Sequence, residues 1–415
     1  MSKHKISDFL ENYGDGIHGT PNYDENGTVY FINGNNLVNG KIQINANTLK
    51  ITEEEANKIK RDLNEKTLLL SINGTLGNIA LYNHEKITLG KSACFLNVKE
   101  EKDKIFLKYV LSTKEFKKYM QLVATGSTIK NLAPSQVANY EFELKDNVDK
   151  YKVSNLLSSI DNKIENNNKI NAELESLAKT IYDYWFLQFE FPNEEGKPYK
   201  SSGGKMVWNK ELKREIPDGW NIEQLKNVIK IVDNRGKNPP YTESKSNHPI
   251  IDVATLRNEG RAINYNDCSK YVSDETYNSW FRAGHPQLGD ILFSTVGSLA
   301  ETKIFYPTKI EGAIAQNIVG MRTSANLYSY LYQLLNVEKE RIIGYKIGSV
   351  QPSLKVGHVL SHRFLLPPES VLNEYSKIIE NLNLQICSLV EENQELSSLR
   401  DFLLPMLMNG QVQFK

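Results

Sequence analysis

Asn238-Pro239-Pro240-Tyr241 is the signature of enzymes that methylate the exocyclic amine of adenine in DNA, and Gly14-Asp15-Gly16-Ile17-His18-Gly19 fits the GxGxxG pattern of a nucleotide-binding loop. Together they would be the catalytic and cofactor loops of a DNA methyltransferase. The elements needed to position them argue otherwise. A cofactor loop works because a strand delivers its glycines to a helix N-terminus whose amides face the ligand. Here Gly19 is followed by TPNYDENGT, which reads as a turn. In a methyltransferase the NPPY run follows the cofactor loop within one domain, at the end of a buried strand, whereas these two motifs lie about 220 residues apart. His358 and His362 have i,i+4 spacing but no HExxH glutamate, and their context, VLSHRFLLPP, reads as an extended run. Pro217-Asp218 followed by Glu243-Ser244-Lys245 is only loosely like a nuclease motif, and no GxxxxGK[ST] loop is present. No catalytic, cofactor-binding or metal-binding residue is therefore assigned.

The wide separation of the two motifs has a simpler origin: the chain is written twice. SINGTLGNIALY (71–82) aligns with STVGSLAETKIFY (294–306), matching Ser71 with Ser294, Gly74 with Gly297 and Leu76 with Leu299. GSTIKNL (126–132) aligns with GSVQPSL (348–354), HGTPNY (18–23) falls opposite RGKNPPY (235–241), and ELESL (173–177) opposite ELSSL (395–399). The matches are collinear with offsets between 217 and 223, so both opening motifs fall at one place in a duplicated unit.

Each copy begins as a mixed α/β module and ends in a long helix. TLLLSI (67–72) and DILFSTV (290–296) have strand character, while 104–122 and 327–343 are amphipathic. In the first helical stretch Val153, Leu157, Ile160, Ile164, Asn167, Asn171, Leu174, Ala178, Ile181 and Trp185 follow a 4-3 spacing. Tyr375, Ile379, Leu382, Ile386, Leu389, Asn393, Leu396, Arg400, Leu403 and Leu407 repeat it 222 residues later. An apolar period of 3.5 residues over more than four heptads is a coiled-coil seam, and Asn171 and Asn393 occupy equivalent positions where a buried Asn fixes register. Leu157, Ile160, Ile164, Asn171, Leu174, Ile379, Leu382, Ile386, Asn393 and Leu396 are the expected pairing residues. Tyr182, Tyr184, Trp185 and Phe186, crowded at the end of the first helix, fit a partner-covered surface or a local core equally well.

The expected fold class is α+β: two tandem mixed α/β modules, each followed by a long helix, with the helices pairing as an antiparallel coiled coil about a pseudo-twofold axis. The boundaries are a first module at 1–146, helix 147–190, linker 191–215, second module 216–368, helix 369–408 and tail 409–415. Of the 415 residues, 40% are apolar and 24% charged, ordinary for a globular chain. Fifty basic residues balance fifty acidic ones, but 1–145 carries 19 basic and 17 acidic residues and 205–367 carries 21 and 16, whereas the helical stretches are acidic. A nucleic-acid contact through the modules and a protein contact through the helices are consistent with this distribution. Cys94, Cys268 and Cys387 have no CxxC spacing and read as free thiols of a reducing compartment, and neither a signal peptide nor a membrane span is visible. A cytoplasmic location is expected.

With its two modules, two long helices and no catalytic site, the chain resembles the specificity (S) subunits of type I restriction-modification systems. The resemblance runs over essentially the whole chain and is carried by FPNEEGKPYKSSGGKMVWNKELKREIPDGW (191–220), RGKNPPY, GDILFSTVGS (289–298) and LRDFLLPMLMNGQV (399–412). It implies that each module is a target-recognition domain reading one half of a bipartite double-stranded DNA target. It implies too that the paired helices are a ruler for the unread spacer and a docking surface for two methyltransferase (M) subunits. AdoMet would sit on those subunits, and ATP and Mg on restriction (R) subunits where present; this chain would bind no cofactor itself. Two other readings compete: a self-contained adenine-N6 methyltransferase using 238–241, and a coiled-coil DNA-binding scaffold.

Base edges are read by Arg on guanine and Asn or Gln on adenine, from loops held by a rigid scaffold. The DNA-binding candidates are the paired loops of the repeat: Asn73, Thr75, Ser127, Thr128, Lys130 and Asn131 in the first module, and Arg235, Lys237, Ser298, Gln316, Asn317, Ser349, Gln351 and Lys355 in the second. Eight of ten arginines lie in 205–367, which leads to the expectation that the second module reads guanines through Arg.

Overall fold

A computed structural model describes residues 2–126, 129–145, 148–234, 236 and 238–412. The chain divides into two compact units, 1–162 with 397–415, and 163–396. The last turns of the second long helix thus belong with the first module.

In the first unit a four-stranded antiparallel sheet runs in the order Leu10–Asp15, Ala93–Val98, Thr67–Ser71, Ile79–Leu81. Leu68, Leu70, Cys94 and Leu96 turn one face into a core completed by Phe106 and Phe116 from helices Asp103–Val110 and Lys114–Val123. Leu69, Ala80, Ala93 and Phe95 turn the other face onto Ile32, Leu37 and Leu89. Because both faces are covered, the central strands are continuously apolar rather than alternating. A separate antiparallel pair joins Ser2–Lys5 to Glu141–Leu144.

The second unit repeats this order. Its sheet runs Lys230–Val232, Ile318–Arg322, Ile291–Ser294, Thr302–Ile304, and Asn221–Gln224 pairs with Arg363–Leu366 as Ser2–Lys5 pairs with Glu141–Leu144 in the first unit. Helices Tyr328–Val337 and Lys339–Ile343 stand where 103–110 and 114–123 stand in the first copy. The linker expected at 191–215 is an ordered, turn-rich segment: Phe191 stacks on Tyr199 at 4.6 Å, and Met206–Asn209 forms a hairpin with Arg214–Pro217. Tyr182, Trp185 and Phe186 are buried in this unit's core with Trp220 and Tyr330, while Tyr184 stays exposed, so this crowded end of the helix is largely a local core.

The long helices span Lys150–Tyr182, with a wider turn at Asp183–Leu187, and Glu369–Met408. Within the second unit they run antiparallel. Asn167 donates to Asn393 at 2.9 Å, and the Trp185 and Tyr375 rings lie 5.8 Å apart, so residue numbers on the two helices sum to 560 at both contacts. Within the first unit, Val153 and Leu157 share a core with Leu404, Leu407 and Met408. Of the expected pairing residues, Leu157, Ile160, Ile379 and Ile386 are buried, and Ile164, Asn171, Leu174, Leu382, Asn393 and Leu396 are half-buried. Asn393 also donates to Asn168 at 2.9 Å, whereas the register sets Asn171 opposite Leu389, with its amide oxygen buried and unpartnered.

Each unit also ties the helices to its module by a charged cluster. In the first, Asp161 accepts from Lys108, from Tyr109 Oη at 2.8 Å and from Arg400 at 2.9 Å. Burial pushes the Asp161 carboxyl up, but those donors outweigh it and hold it below the ordinary aspartate value. In the second, fully buried Arg261 donates through Nε and Nη2 to Glu175 Oε2 at 2.9 and 2.8 Å and through Nη1 to Asn383.

Candidate functional site

The two opening motifs end up in different units, in surroundings that suit neither chemistry. Gly14 and Asp15 finish a strand and Ile17 bridges Gly90, so the first motif extends a sheet edge instead of opening a helix. A Cβ on Gly16 would lie 2.2 Å from the Leu89 carbonyl oxygen, which explains the glycine by close strand approach. Asn238 and Pro240 are exposed and Pro239 is buried in a loop, with Lys270 over the Tyr241 ring at 4.7 Å. His358 lies in a short helix, Val356–Leu360, and not in the extended run expected; His362 is buried, its Nδ1 2.9 Å from Tyr345 Oη. Among the described residues no group of three or more His, Cys, Asp or Glu is placed to hold a metal, and no helix is long and apolar enough to cross a membrane.

The candidate loops form one cluster in each unit. In the first, strand 67–71 ends in a turn closed by Ser71 N–H donating to Asn78 O and Asn78 N–H donating to Ser71 Oγ, both at 2.8 Å. That turn carries Asn73 and Thr75. Beside it, Thr125 and Asn131 exchange backbone hydrogen bonds at 2.8 Å to close a second loop. The loops are joined by Gly74 N–H to Lys130 O at 3.1 Å, Leu132 N–H to Ile72 O at 2.8 Å and Asn73 Nδ2–H to Asn131 Oδ1 at 3.1 Å. Gly126 has φ +99° and an added Cβ would stand 2.2 Å from the Ile129 carbonyl oxygen, so only glycine closes this loop.

The second unit builds the same cluster. Ser294 N–H donates to Glu301 O at 3.0 Å, Glu301 N–H to Ser294 Oγ at 2.8 Å, and Ile347 and Ser353 exchange bonds at 2.9 Å. Leu354 N–H donates to Thr295 O at 2.8 Å, and Thr295 N–H reaches Asn317 O at 2.9 Å, bringing in a third loop as Ile72 N–H brings in Ser92 in the first unit. Ser349, Gln351, Lys355 and Gln316 are exposed around this cluster; Ser298 and Asn317 are half-buried and spend their carbonyls inside it. In the first cluster Thr75, Lys130 and Asn131 are exposed and Asn73 is half-buried. Ser127, Thr128, Arg235 and Lys237 lie outside the described residues.

Only part of the arginine count carries over into free guanidinium groups among the described residues. Arg261 is internal, Arg322 grips Asp290 at 2.6 Å, Arg341 pairs with Glu338 and Arg363 with Glu211 at 2.7 Å. Arg214 lies over the Phe189 ring at 5.4 Å. Arg257 and Arg282 are exposed with no ion pair among the described residues. Sequence reasoning also passed over helix Lys114–Val123, whose Lys114, Lys117 and Lys118 are exposed next to the first cluster. Their i, i+3, i+4 spacing was the available signal.

The model of a type I restriction modification DNA specificity domain matches residues 2–176. The specificity subunit of type I restriction enzyme MjaIX from Methanocaldococcus jannaschii is 24% identical, across 90% of this chain and 84% of its own. That of type I restriction enzyme HindI from Haemophilus influenzae is 21% identical, across 74% of this chain and 77% of its own. Among solved structures, the type I restriction-modification S subunit from M. genitalium has the same fold, with a TM-score of 0.54 at 16% identity over 100% of this chain and 96% of that one.

Proposed function

We propose that this chain, which belongs to the specificity subunits of type I restriction-modification systems, reads a bipartite double-stranded DNA target, one half with each loop cluster. Its part in such a system is recognition; catalysis belongs to the M and R subunits. The observation that carries the proposal is the doubled cluster: the same loops, closed by equivalent hydrogen bonds, stand on the same strand order in both units. Asn, Gln and Lys side chains on short loops held by a sheet suit base-edge contact, amides to adenine and Lys to guanine. Two similar readers imply two half-sites. A methyltransferase working alone through Asn238–Tyr241 is not favoured, because that run has no cofactor loop in its own unit.

The M subunits would dock on the long helices. Ile170, Leu177 and Tyr184 repeat every seven residues along the first helix and stay 44%, 47% and 39% exposed, an apolar stripe suited to a partner helix. AdoMet would be held by those subunits, and ATP and Mg by restriction subunits, so Asn-Pro-Pro-Tyr chemistry would act on the target from another chain. The test is single-molecule sequencing of genomic DNA from cells carrying the system's methyltransferase, with and without this chain. Methyladenine that depends on the chain and falls in a split motif supports the proposal; methylation independent of the chain sinks it.

A further inference from the structure

The first unit holds an uncompensated cationic surface that the paired loops do not account for. Helix Lys114–Val123 buries Phe116 and Met120 and turns Lys114, Lys117, Lys118 and Gln121 outward within a sector of about 100°. None of the three lysines has an ion pair among the described residues. The helix runs directly into the 125–131 loop, with Gln136 Nε2–H capping its Val123 carbonyl at 2.9 Å. Its other side meets the 73–78 turn: Met120 Cε lies 2.5 Å from where a Cβ on Gly77 would stand, and the turn takes φ +86° there. Lys117, Lys118 and Gln121 therefore share one open depression with Leu76, Gly77 and Asn78.

The charge is concentrated here. Residues 114–131 contain four lysines and one glutamate, a net of +3, against +2 for the whole of 1–145 (19 basic, 17 acidic). The corresponding stretch of the second unit, 336–353, has three basic and two acidic residues. There Lys339 is held by Glu301 at 2.8 Å and Arg341 by Glu338.

We propose that Lys114, Lys117 and Lys118 form a phosphate-contacting face for the DNA backbone flanking the first half-site, one that the corresponding stretch of the second unit, 336–353, does not repeat. This rests on the DNA-reading role of the adjoining loops. Lysines on a helix cannot reach base edges while the loops occupy them, but a rigid row of cations beside a reader fixes the register of the duplex without adding sequence information. The first unit is then anchored largely by charge, and its contribution is the more salt-sensitive of the two.

The test uses the full chain assembled with the methyltransferase subunits of its own system, and two duplexes, one carrying the methylated motif and one lacking it. Affinity is measured across a fourfold range of salt for wild type, K117Q/K118Q, N131A and the control K210Q. Each lost phosphate contact lowers the salt slope by about 0.9, so the double variant should lose about 1.8. Wild type then falls about 12-fold further than the variant over that range. Both duplexes should weaken in parallel, the methylated motif should not change, and K210Q should behave as wild type. An unchanged slope in K117Q/K118Q while N131A alters the motif overturns the phosphate face and leaves the loop reading standing. A wild-type complex that does not prefer its motif overturns both.

Discussion

Breaking the Arg261–Glu175 pair gives the sharpest energetic prediction. Arg261 comes from the second module, Glu175 from the first long helix and Asn383 from the second, and all three lie in one unit. The guanidinium is 0% exposed and 5.3 Å from the centre of the Tyr332 ring, whereas the Glu175 side chain keeps 23% exposure. Removing one partner of a buried pair costs about 3–5 kcal/mol because the other charge is stranded. The asymmetry in exposure orders the two single variants. E175M strands a cation with no route to water and should lie at the upper end of that range. R261M strands a carboxylate that can hydrate, and should cost about 2–3 kcal/mol. The double variant R261M/E175M leaves neither charge, so its cost should fall short of the sum by about 2 kcal/mol or more. Urea unfolding followed by tryptophan fluorescence isolates this unit, since Trp185, Trp208, Trp220 and Trp280 all lie within 163–396. The m-value should stay constant across the four proteins. Additive single costs, or R261M costing more than E175M, would refute the stranded-charge reasoning.

Three further outcomes follow from the same contacts. Burial pushes Cys94 and Cys387 up to about 12 and Cys268 up to about 11, so none should react with iodoacetamide at neutral pH in the native chain, and Cys94 labelling should report unfolding of the first unit. Asp161 is held below the ordinary carboxylate value, so its stabilisation is present above the unfolded pKa of about 4 and is lost as pH falls through the folded one. D161N should therefore flatten the acid limb of the first unit's stability, measured by hydrogen–deuterium exchange of its peptides. Lys303 is buried and lowered to about 8; between there and the unfolded value of about 10.4 the unfolded chain binds more protons, so second-unit stability should rise with pH over that window. K303M should abolish the rise in urea titrations, and a rise that persists in K303M would assign it to another group.

The repeat was the most legible feature, because the turn glycines and the residues that close the loops recur at a nearly fixed offset: Gly74 with Gly297, Gly126 with Gly348 and Ser71 with Ser294. The helical seam was legible for the same reason, its apolar period being independent of tertiary context. What could not be read was which polar groups the fold consumes. Arg261, Arg322 and Arg363 differ from Arg257 and Arg282 only in the carboxylates that distant segments bring to them, Glu175, Asp290 and Glu211. The antiparallel course of the helices was expected from the doubled seam, but not that it carries Leu404, Leu407 and Met408 into the core of the first unit. The exposed lysine helix escaped notice because three lysines on one face are ordinary until the neighbouring loops give them a setting.

The central claim is that each loop cluster reads its own half of a split target. Single-molecule methylation sequencing of cells expressing wild type, N131A or Q351A with the partner methyltransferase tests it most directly. N131A should relax or change only one half of the methylated motif and Q351A only the other, with the unread gap unchanged. Variants that alter both halves together, or leave the motif intact while methylation persists, would contradict it.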